Sequence, residues 1–210
     1  TGFANKLGVK IEFDRDSKDF NDTVFRAGKG DFDLAIGKLS TTYKRMSDTH
    51  PHEYMNFRQA LLVNRRFVAS IDRGLSEDVL GQDLLNSKMK VGIIGGSSWE
   101  SYANQFMPSA QKIGYKDWPA VKKALFETNE IDAIYRDATE IKKIIYQEPN
   151  LSIKYVPILF NDVKDVISIF LPTDANIAMS DVLNFYLRDY GIKGDAEIME
   201  ELSDFYNPIS

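Results

Sequence analysis

The stretch Asp31-Phe-Asp-Leu-Ala-Ile-Gly-Lys-Leu-Ser-Thr-Thr-Tyr-Lys-Arg45 contains the strongest structural signal in the chain. Its apolar run at 34–36 lies between two glycines and predicts a short buried strand. The polar residues that follow predict a turn. Thr42 is a suitable N-cap, because its hydroxyl can accept a hydrogen bond from a backbone N–H of the first helical turn. The stretch therefore predicts a strand, a polar turn and a helix that begins at Tyr43.

This order of elements collects hydrogen-bond donors at the carboxyl end of a strand. The turn supplies the Ser40 hydroxyl and several backbone N–H groups, and Arg45 follows within the first helical turn. A helix start is electropositive, and a guanidinium can bind a carboxylate through two parallel hydrogen bonds. The residues are therefore suited to holding a carboxylate. An arginine at this position is also commonly a solvated surface residue, so the residues alone leave both interpretations of Arg45 open.

Four segments resemble the family 3 extracellular solute-binding proteins, which capture amino acids for ABC importers. The pattern G-x-x-D, an apolar strand and (S/T)-x-T-x-x-R stands at 30–45. The segments 3–10, 91–98 and 130–137 are similar to the family patterns A-x-x-L-G-V-K, V-G-V-x-x-G-(S/T)-(S/T) and G-x-(I/V)-D-A-x-x-x-D. Each pattern is short, but the four occur in the family's order and spacing.

Apolar strands alternate with amphipathic helices, which predicts an α/β protein with mainly parallel sheets. The resemblance implies a two-lobed, type II periplasmic-binding-protein-like fold with helices on the sheets and two hinge crossings. We expect lobe 1 at 1–64 plus 167–210 and lobe 2 at 65–166. Residues 9–13 alternate between apolar and polar and predict a strand of lobe 1. The first strand of the family would precede residue 1 and is missing here.

The resemblance also implies roles for individual residues. Arg45 would pair with the α-carboxylate of the ligand, and Ser40 would donate its N–H and hydroxyl to the same group. Ser97 and Ser98 would bind ligand from a strand-to-helix turn of lobe 2. Asp137 would accept the α-ammonium group. On the residues alone, Ser97 and Asp137 can equally be ordinary helix N-caps.

Two further residues are expected to bind the ligand, and each also has an alternative interpretation. Phe20 has the spacing of the family's ligand-stacking aromatic, but a single Phe on a helical face is commonly a core residue. Lys38 stands where the family usually has Gly or Ser; its ammonium would favour a ligand with an acidic side chain, or would turn to solvent. Trp99 replaces a residue that is commonly polar and would narrow the site.

Composition excludes several classes of function. The 210 residues carry a net charge of −5 and contain no cysteine, so disulfides, thiolate metal sites and cysteine nucleophiles are excluded. No basic cluster indicates nucleic-acid binding. His50 and His52 flank a proline and are expected in a solvated loop rather than in a metal site. We expect no catalytic residue, metal or cofactor.

The expected function is binding of an amino acid or similar small polar solute in an interlobe cleft, for delivery to a membrane ABC permease. The protein would be a periplasmic or extracytoplasmic monomer, although no signal peptide is visible in the chain. A ligand-sensing domain of a receptor kinase, channel or lytic enzyme is one alternative. A cyclohexadienyl dehydratase-like enzyme is another, with Glu100 or Glu140 as the proton donor.

Overall fold

The computed structural model describes residues 2–71, 74 and 77–201, without the side chains of 77–79. Its strands are β1 (Thr49–Asn64), β2 (Lys90–Ile94), β3 (Gln111–Tyr115), β4 (Ala133–Asp137) and β5 (Tyr155–Pro172). Its helices are α1 (Gly2–Leu7), α2 (Phe20–Gly28), α3 (Tyr43–Met46), α4 (Arg65–Ile71), α5 (Glu77–Leu85), α6 (Ser98–Phe106), α7 (Trp118–Phe126), α8 (Ala138–Gln147), α9 (Ile177–Tyr190) and α10 (Asp195–Glu201). A 3₁₀ helix spans Pro149–Ile153.

The strands form one mixed sheet in the order β3-β2-β4-β1-β5. Strand β2 is parallel to both β3 and β4. Helix α6 connects β2 to β3, and helix α7 connects β3 to β4. Strand β4 is antiparallel to β1, with Gln59 opposite Asp137. The prediction of an α/β fold, with a sheet flanked by helices, is confirmed.

The chain folds into two compact units. The first unit consists of 1–56 and 166–194, and the second of 57–165 and 195–210. The chain passes between the units inside β1, inside β5 and again before α10. The lobe boundaries that the resemblance implies, 1–64 plus 167–210 and 65–166, remain a prediction.

The second unit has two buried apolar clusters around the sheet. One includes Trp99, Tyr135 and the β2 side chains Val91 and Ile93. The other takes its residues from α7, α8 and the alternate positions of β1 and β4. This alternation follows from the strand period of two, which sends successive side chains to opposite faces.

The segment expected as a strand at 34–36 is shorter than predicted. Only Ala35 forms a ladder pair, with Phe170 of β5, and Ser40 forms a second isolated pair with Ile167. Both pairs are antiparallel, and the core of the first unit includes Ala35, Leu39 and Phe170. The centre of the apolar run is therefore buried as predicted. The segment pairs with β5 only through these isolated bridges and does not form a continuous strand.

The prediction of a strand at 9–13 is wrong. This segment has no regular structure, and the side chains of Val9, Ile11 and Phe13 are exposed. An alternating sequence only makes a strand possible. The strand itself needs a hydrogen-bonded neighbour, and none of the described residues pairs with this segment.

The histidines at 50 and 52 lie in β1, so the prediction of a loop there is wrong, whereas His50 is exposed to solvent as predicted. His52 is buried, and its Nδ1 lies 2.7 Å from Oδ1 of Asn184 while its Nε2 lies 3.3 Å from the Ser180 hydroxyl. Both partners belong to α9, so His52 ties β1 to that helix within the first unit. The described residues contain no group of acidic or histidine side chains arranged to hold a metal ion. None of their helices has the length and apolar character needed to span a membrane.

Gly28, at the end of α2, allows close approach of the chain that follows α3. A Cβ added there would lie 2.5 Å from the carbonyl oxygen of Asp48. We expect Gly28→Ala to lower the free energy of unfolding by about 1–3 kcal/mol, because backbone would have to move. Urea denaturation provides the measurement. Gly81→Ala is the control: it lies inside α5, no described atom lies within 4 Å of an added Cβ, and the change should stabilise by up to about 1 kcal/mol. Equal effects at both sites would contradict the packing argument.

Candidate functional site

The turn before α3 forms as the sequence predicts. Thr42 has extended backbone geometry, and its hydroxyl accepts a hydrogen bond from the Arg45 N–H at 3.3 Å. The helix begins at Tyr43. The prediction of a Thr42 cap is confirmed, and it places Arg45 in the first helical turn.

Arg45 is buried, with 6% of its surface exposed. Its Nη1 donates to the Ser40 carbonyl at 2.7 Å, while Nε and Nη2 donate to Oδ1 of Asn21 at 3.2 and 2.9 Å. Burying a guanidinium is costly unless hydrogen bonds compensate. These three bonds orient the guanidinium beside Ser40, so the structure brings Ser40 and Arg45 together as predicted. The solvated interpretation of Arg45 is wrong.

Residues outside the sequence pattern support the same turn. The hydroxyl of Tyr54 donates to the Gly37 carbonyl. Burial and, to a smaller extent, the electrostatic influence of Tyr190 raise the pKa of Tyr54 to about 12. Tyr54 therefore acts as a neutral donor at physiological pH. The Thr41 and Ser168 hydroxyls are 2.7 Å apart, which ties the turn to β5.

Phe20 and Lys38 lie in the same unit. Phe20 is the first residue of α2, is half-buried, and packs against the core cluster that includes Val24 and Leu39. Lys38 is half-buried within the turn. Contact of either side chain with a ligand remains a prediction.

The turn after β2 carries the two serines of the second unit. Gly96 has a φ of +69°, which glycine adopts without strain, and the chain then enters α6 at Ser98. Ser97 occupies the N-cap position, but its hydroxyl donates to the Ile94 carbonyl at 2.6 Å instead of capping the helix. Both serines are buried. Trp99 is buried too, edge-to-face with Tyr135 at a ring separation of 5.3 Å.

Asp137 ends β4 and caps α8. Its Oδ1 accepts the Glu140 N–H at 3.1 Å and the Thr139 hydroxyl, and the side chain is 1% exposed. Nε of Arg136 lies 3.5 Å from Oδ2. The N-cap interpretation is thus confirmed. A carboxylate buried at the end of a strand remains a strong partner for a cation, because the low local dielectric strengthens the attraction.

A polar network beside Asp137 was not predicted from the sequence. The Tyr135 hydroxyl donates to Oε1 of Gln59, and the Tyr102 hydroxyl donates to Asp165 at 2.9 Å. Burial, and secondarily the charge of Asp165, raises the pKa of Tyr135 far above its usual range. The partners are 76 and 63 residues apart in sequence, so no local pattern could indicate them.

Glu100 and Glu140, the proton donors of the dehydratase alternative, both lie in first turns of helices. A carboxylate oxygen of Glu100 accepts the Gly96 N–H at 3.3 Å, and the side chain is exposed. Glu140 is half-buried and gives its N–H to Asp137. Neither contact indicates acid–base chemistry.

Comparisons with solved structures identify proteins of the same fold. An amino acid ABC transporter substrate-binding protein from Streptococcus pneumoniae, bound to L-arginine, has a TM-score of 0.68 and 18% identity, covering 89% of this chain and 73% of its own. The GluR0 ligand-binding core in complex with L-glutamate has a TM-score of 0.72 and 16% identity, covering 98% and 85%. The chain has the fold of amino-acid-binding proteins.

A third similar structure bears on the enzymatic alternative. It is an ancestral amino-acid-binding protein, the precursor of a cyclohexadienyl dehydratase, with a TM-score of 0.66 and 19% identity over 89% of this chain and 74% of its own. No protein-family model matches the chain. No curated protein sequence matches it either. At these identities the likeness establishes the fold alone.

Proposed function

We propose that the protein binds an amino acid, with Arg45 and Ser40 holding its α-carboxylate. The observation that carries this proposal is the buried guanidinium of Arg45, fixed by hydrogen bonds to Asn21 and to the Ser40 carbonyl. An arginine held in one orientation loses little conformational entropy when it binds a planar carboxylate. The neighbouring turn adds N–H and hydroxyl donors to the same region of the chain.

We assign the α-ammonium group to Asp137 of the second unit. Its carboxylate is buried and oriented by Thr139 and by the N–H of Glu140, so its position is fixed before a ligand binds. Ser97 and Ser98 are proposed to contribute from the turn after β2. Phe20 and Lys38 are proposed to contact the remainder of the ligand, with Lys38 favouring an acidic side chain.

Delivery to an ABC permease and an extracytoplasmic location are parts of the same proposal. They are supported by the fold, which is shared with a substrate-binding protein of an ABC transporter. A ligand-sensing role uses the same binding chemistry, and it is favoured by the likeness to a ligand-binding core that holds L-glutamate. Reconstitution of uptake with a candidate permease separates the two roles.

Thermal unfolding in the presence of each of the twenty amino acids tests the binding function. A ligand at 100 times its dissociation constant stabilises the folded protein by about 2.7 kcal/mol, which is readily seen as a rise in Tm. Prephenate and arogenate belong in the same screen, with product formation followed separately. A protein whose Tm responds to no amino acid would contradict the proposal, and turnover of prephenate would replace it with the enzymatic alternative.

Asp137→Asn should weaken amino-acid binding by about tenfold or more, because an ammonium group loses its charged partner while the N-cap is kept. Isothermal titration calorimetry with the amino acid of largest Tm shift gives the measurement. Asp117→Asn is the matched control, since Asp117 caps α7 in the same unit and accepts the Ala120 N–H at 2.8 Å. Unchanged affinity in the Asp137 variant would show that the ammonium binds elsewhere.

A further inference from the structure

Arg136 is a largely buried cation whose hydrogen-bond donors are not used within the described part of the chain. Its side chain is 12% exposed, and its Nε and Nη1 are buried without a hydrogen-bond partner. The third nitrogen, Nη2, is not one of these buried atoms, so the guanidinium can be reached from one edge. Burying a charged group is costly unless hydrogen bonds compensate, and a guanidinium carries five N–H donors. The placement of Arg136 therefore calls for a functional explanation.

The neighbours of Arg136 hold its guanidinium in place without accepting its hydrogen bonds. Cζ lies 4.9 Å from the ring centroid of Trp118, the first residue of α7. Nε lies 3.5 Å from Oδ2 of Asp137, which is an ion-pair distance without a hydrogen bond. The cross-strand neighbour is Ala60, whose side chain has no acceptor. An aromatic face and a nearby carboxylate both attract a guanidinium, and they leave its planar fork of N–H groups available to another acceptor.

The strand topology places Arg136 at the edge of the sheet where ligands bind in α/β proteins. Strands β2, β3 and β4 are parallel, so their carboxyl ends lie at the same edge. Arg136 is the next-to-last residue of β4, and Asp137, which we assign to the ligand's ammonium group, is the last. Ligands of open α/β sheets bind outside the carboxyl ends of the strands. The guanidinium therefore lies next to the proposed ammonium site, within the same unit.

We propose that Arg136 is a specificity-determining residue whose guanidinium binds a carboxylate in the side chain of the ligand, so that the protein selects an acidic amino acid. The proposal deepens the proposed function and rests on it. The ammonium group binds at Asp137 and the side-chain carboxylate binds beside it, so each charge of the ligand meets an opposite charge. The carboxylate also supplies the acceptors that the described residues do not. A planar carboxylate can accept two parallel hydrogen bonds from a guanidinium, whereas a neutral amide lacks the charge that strengthens them.

Two pairs of ligands with matched shapes test the proposal: L-glutamate with L-glutamine, and L-aspartate with L-asparagine. Each pair exchanges a side-chain carboxylate for an amide and keeps the α-carboxylate and α-ammonium groups. In isothermal titration calorimetry, the wild-type protein should bind the acidic member of at least one pair about tenfold more tightly, or more. Arg136→Met keeps an extended side chain against Trp118 and removes the charge. It should weaken binding of that acidic member about 20-fold and change the affinity for its amide partner less than about threefold.

Two control variants show whether the effect belongs to Arg136. Arg188→Met makes the same chemical change at an arginine that lies over the ring of Phe185 at 5.4 Å, but this arginine is exposed and belongs to the first unit. It should leave both affinities unchanged, and a loss of preference in it equal to that in Arg136→Met would overturn the proposal. Lys38→Met removes the other cation that we propose to favour an acidic ligand. If this variant loses the preference for the acidic member and Arg136→Met keeps it, the side-chain carboxylate binds at Lys38 and the proposal is wrong.

Arg136→Lys provides a variant that keeps a cation beside Asp137, and it carries the test if Arg136→Met does not fold. Lysine lacks the planar fork and stacks less well on an aromatic ring, so the preference for the acidic member should fall about fivefold. A preference equal to that of the wild-type protein would show that the carboxylate does not bind the guanidinium. Equal weakening of both members of a pair, in either variant, would show that Arg136 only supports the fold.

The failure of this proposal differs from the failure of the proposed function. If the wild-type protein binds none of the twenty amino acids in the thermal screen, the proposed function is wrong and the specificity proposal is wrong with it. If the protein binds amino acids but binds the acidic and amide members of each pair equally, or prefers the amides, Arg136 does not select the ligand and the proposed function stands.

Discussion

Arg45→Ala should weaken amino-acid binding by about 100-fold, the largest effect on binding that we expect from any single substitution. Hydrogen bonds to charged groups contribute about 1.5–3 kcal/mol, and a two-pronged pair with a carboxylate lies at the upper end of that range. Arg45 is buried and held by Asn21 and by the Ser40 carbonyl, so its guanidinium is oriented before a ligand binds. Calorimetric titration of the wild-type and variant proteins with the tightest-binding amino acid gives the two dissociation constants.

Two further variants separate loss of binding from loss of structure. Arg45→Lys keeps the positive charge but removes the planar fork, and should lose most of the affinity as well. Arg26→Ala removes an arginine from the same unit whose partners are the exposed Asp14 and Asp31, and should leave affinity unchanged. If Arg45→Lys binds as tightly as wild type, a bidentate carboxylate contact is excluded. If Arg26→Ala loses binding equally, the effect of Arg45→Ala reflects damage to the unit.

The parts of the site that the sequence predicted are those that depend on neighbours within a few residues. Thr42 caps α3 and Asp137 caps α8 because a hydroxyl or carboxylate two or three residues from a free N–H can reach it. The start of α3 at Tyr43 follows from the same chemistry. Such contacts need only the local chain, so a local pattern predicts them.

The parts that the sequence did not predict depend on partners far along the chain. Asp195 bonds to Arg58 across 137 residues, and His52 contacts Asn184 across 132. The donor or acceptor type of these residues is visible in the sequence, but the identity of the partner is set by the fold. The wrong prediction of a strand at 9–13 has the same cause. The sequence there alternates between apolar and polar residues as a strand does, but no described strand pairs with it.

The Gly-Ser-Ser turn after β2 shows an intermediate case. The position of Ser97 as the residue before α6 was predicted, and the structure confirms it. The capping bond of the N-cap interpretation, one of the two left open for Ser97, is absent, because the hydroxyl donates backwards to the Ile94 carbonyl. Both bonds are local and a serine hydroxyl can make either, so a sequence pattern cannot choose between them.

Asp195→Asn should produce the largest loss of stability that we expect from removal of a charge, about 2 kcal/mol at pH 7. Asp195 begins α10, and its buried carboxylate accepts from Arg58 at 2.8 Å and from Lys142 at 3.1 Å. These partners lie on β1 and α8, so one side chain joins three elements of the second unit. Asparagine keeps the size of the side chain but loses both ion pairs.

The pH dependence of this loss tests its electrostatic origin. Burial raises the pKa of Asp195, but hydrogen bonds from Arg58 and Lys142 outweigh it, and the pKa is lowered on balance. A lowered pKa stabilises the fold above the unfolded-state value of about 3.9, and this contribution disappears as the pH falls through the folded-state pKa. The difference in unfolding free energy between wild type and Asp195→Asn, measured by urea denaturation, should therefore be constant from pH 7 to about pH 5 and shrink below about pH 4. Asp162→Asn, an exposed position on β5, serves as the matched control and should change stability little at either pH. A loss at Asp195 that stayed the same at pH 3 would mean that packing, and not the ion pairs, holds α10 in place.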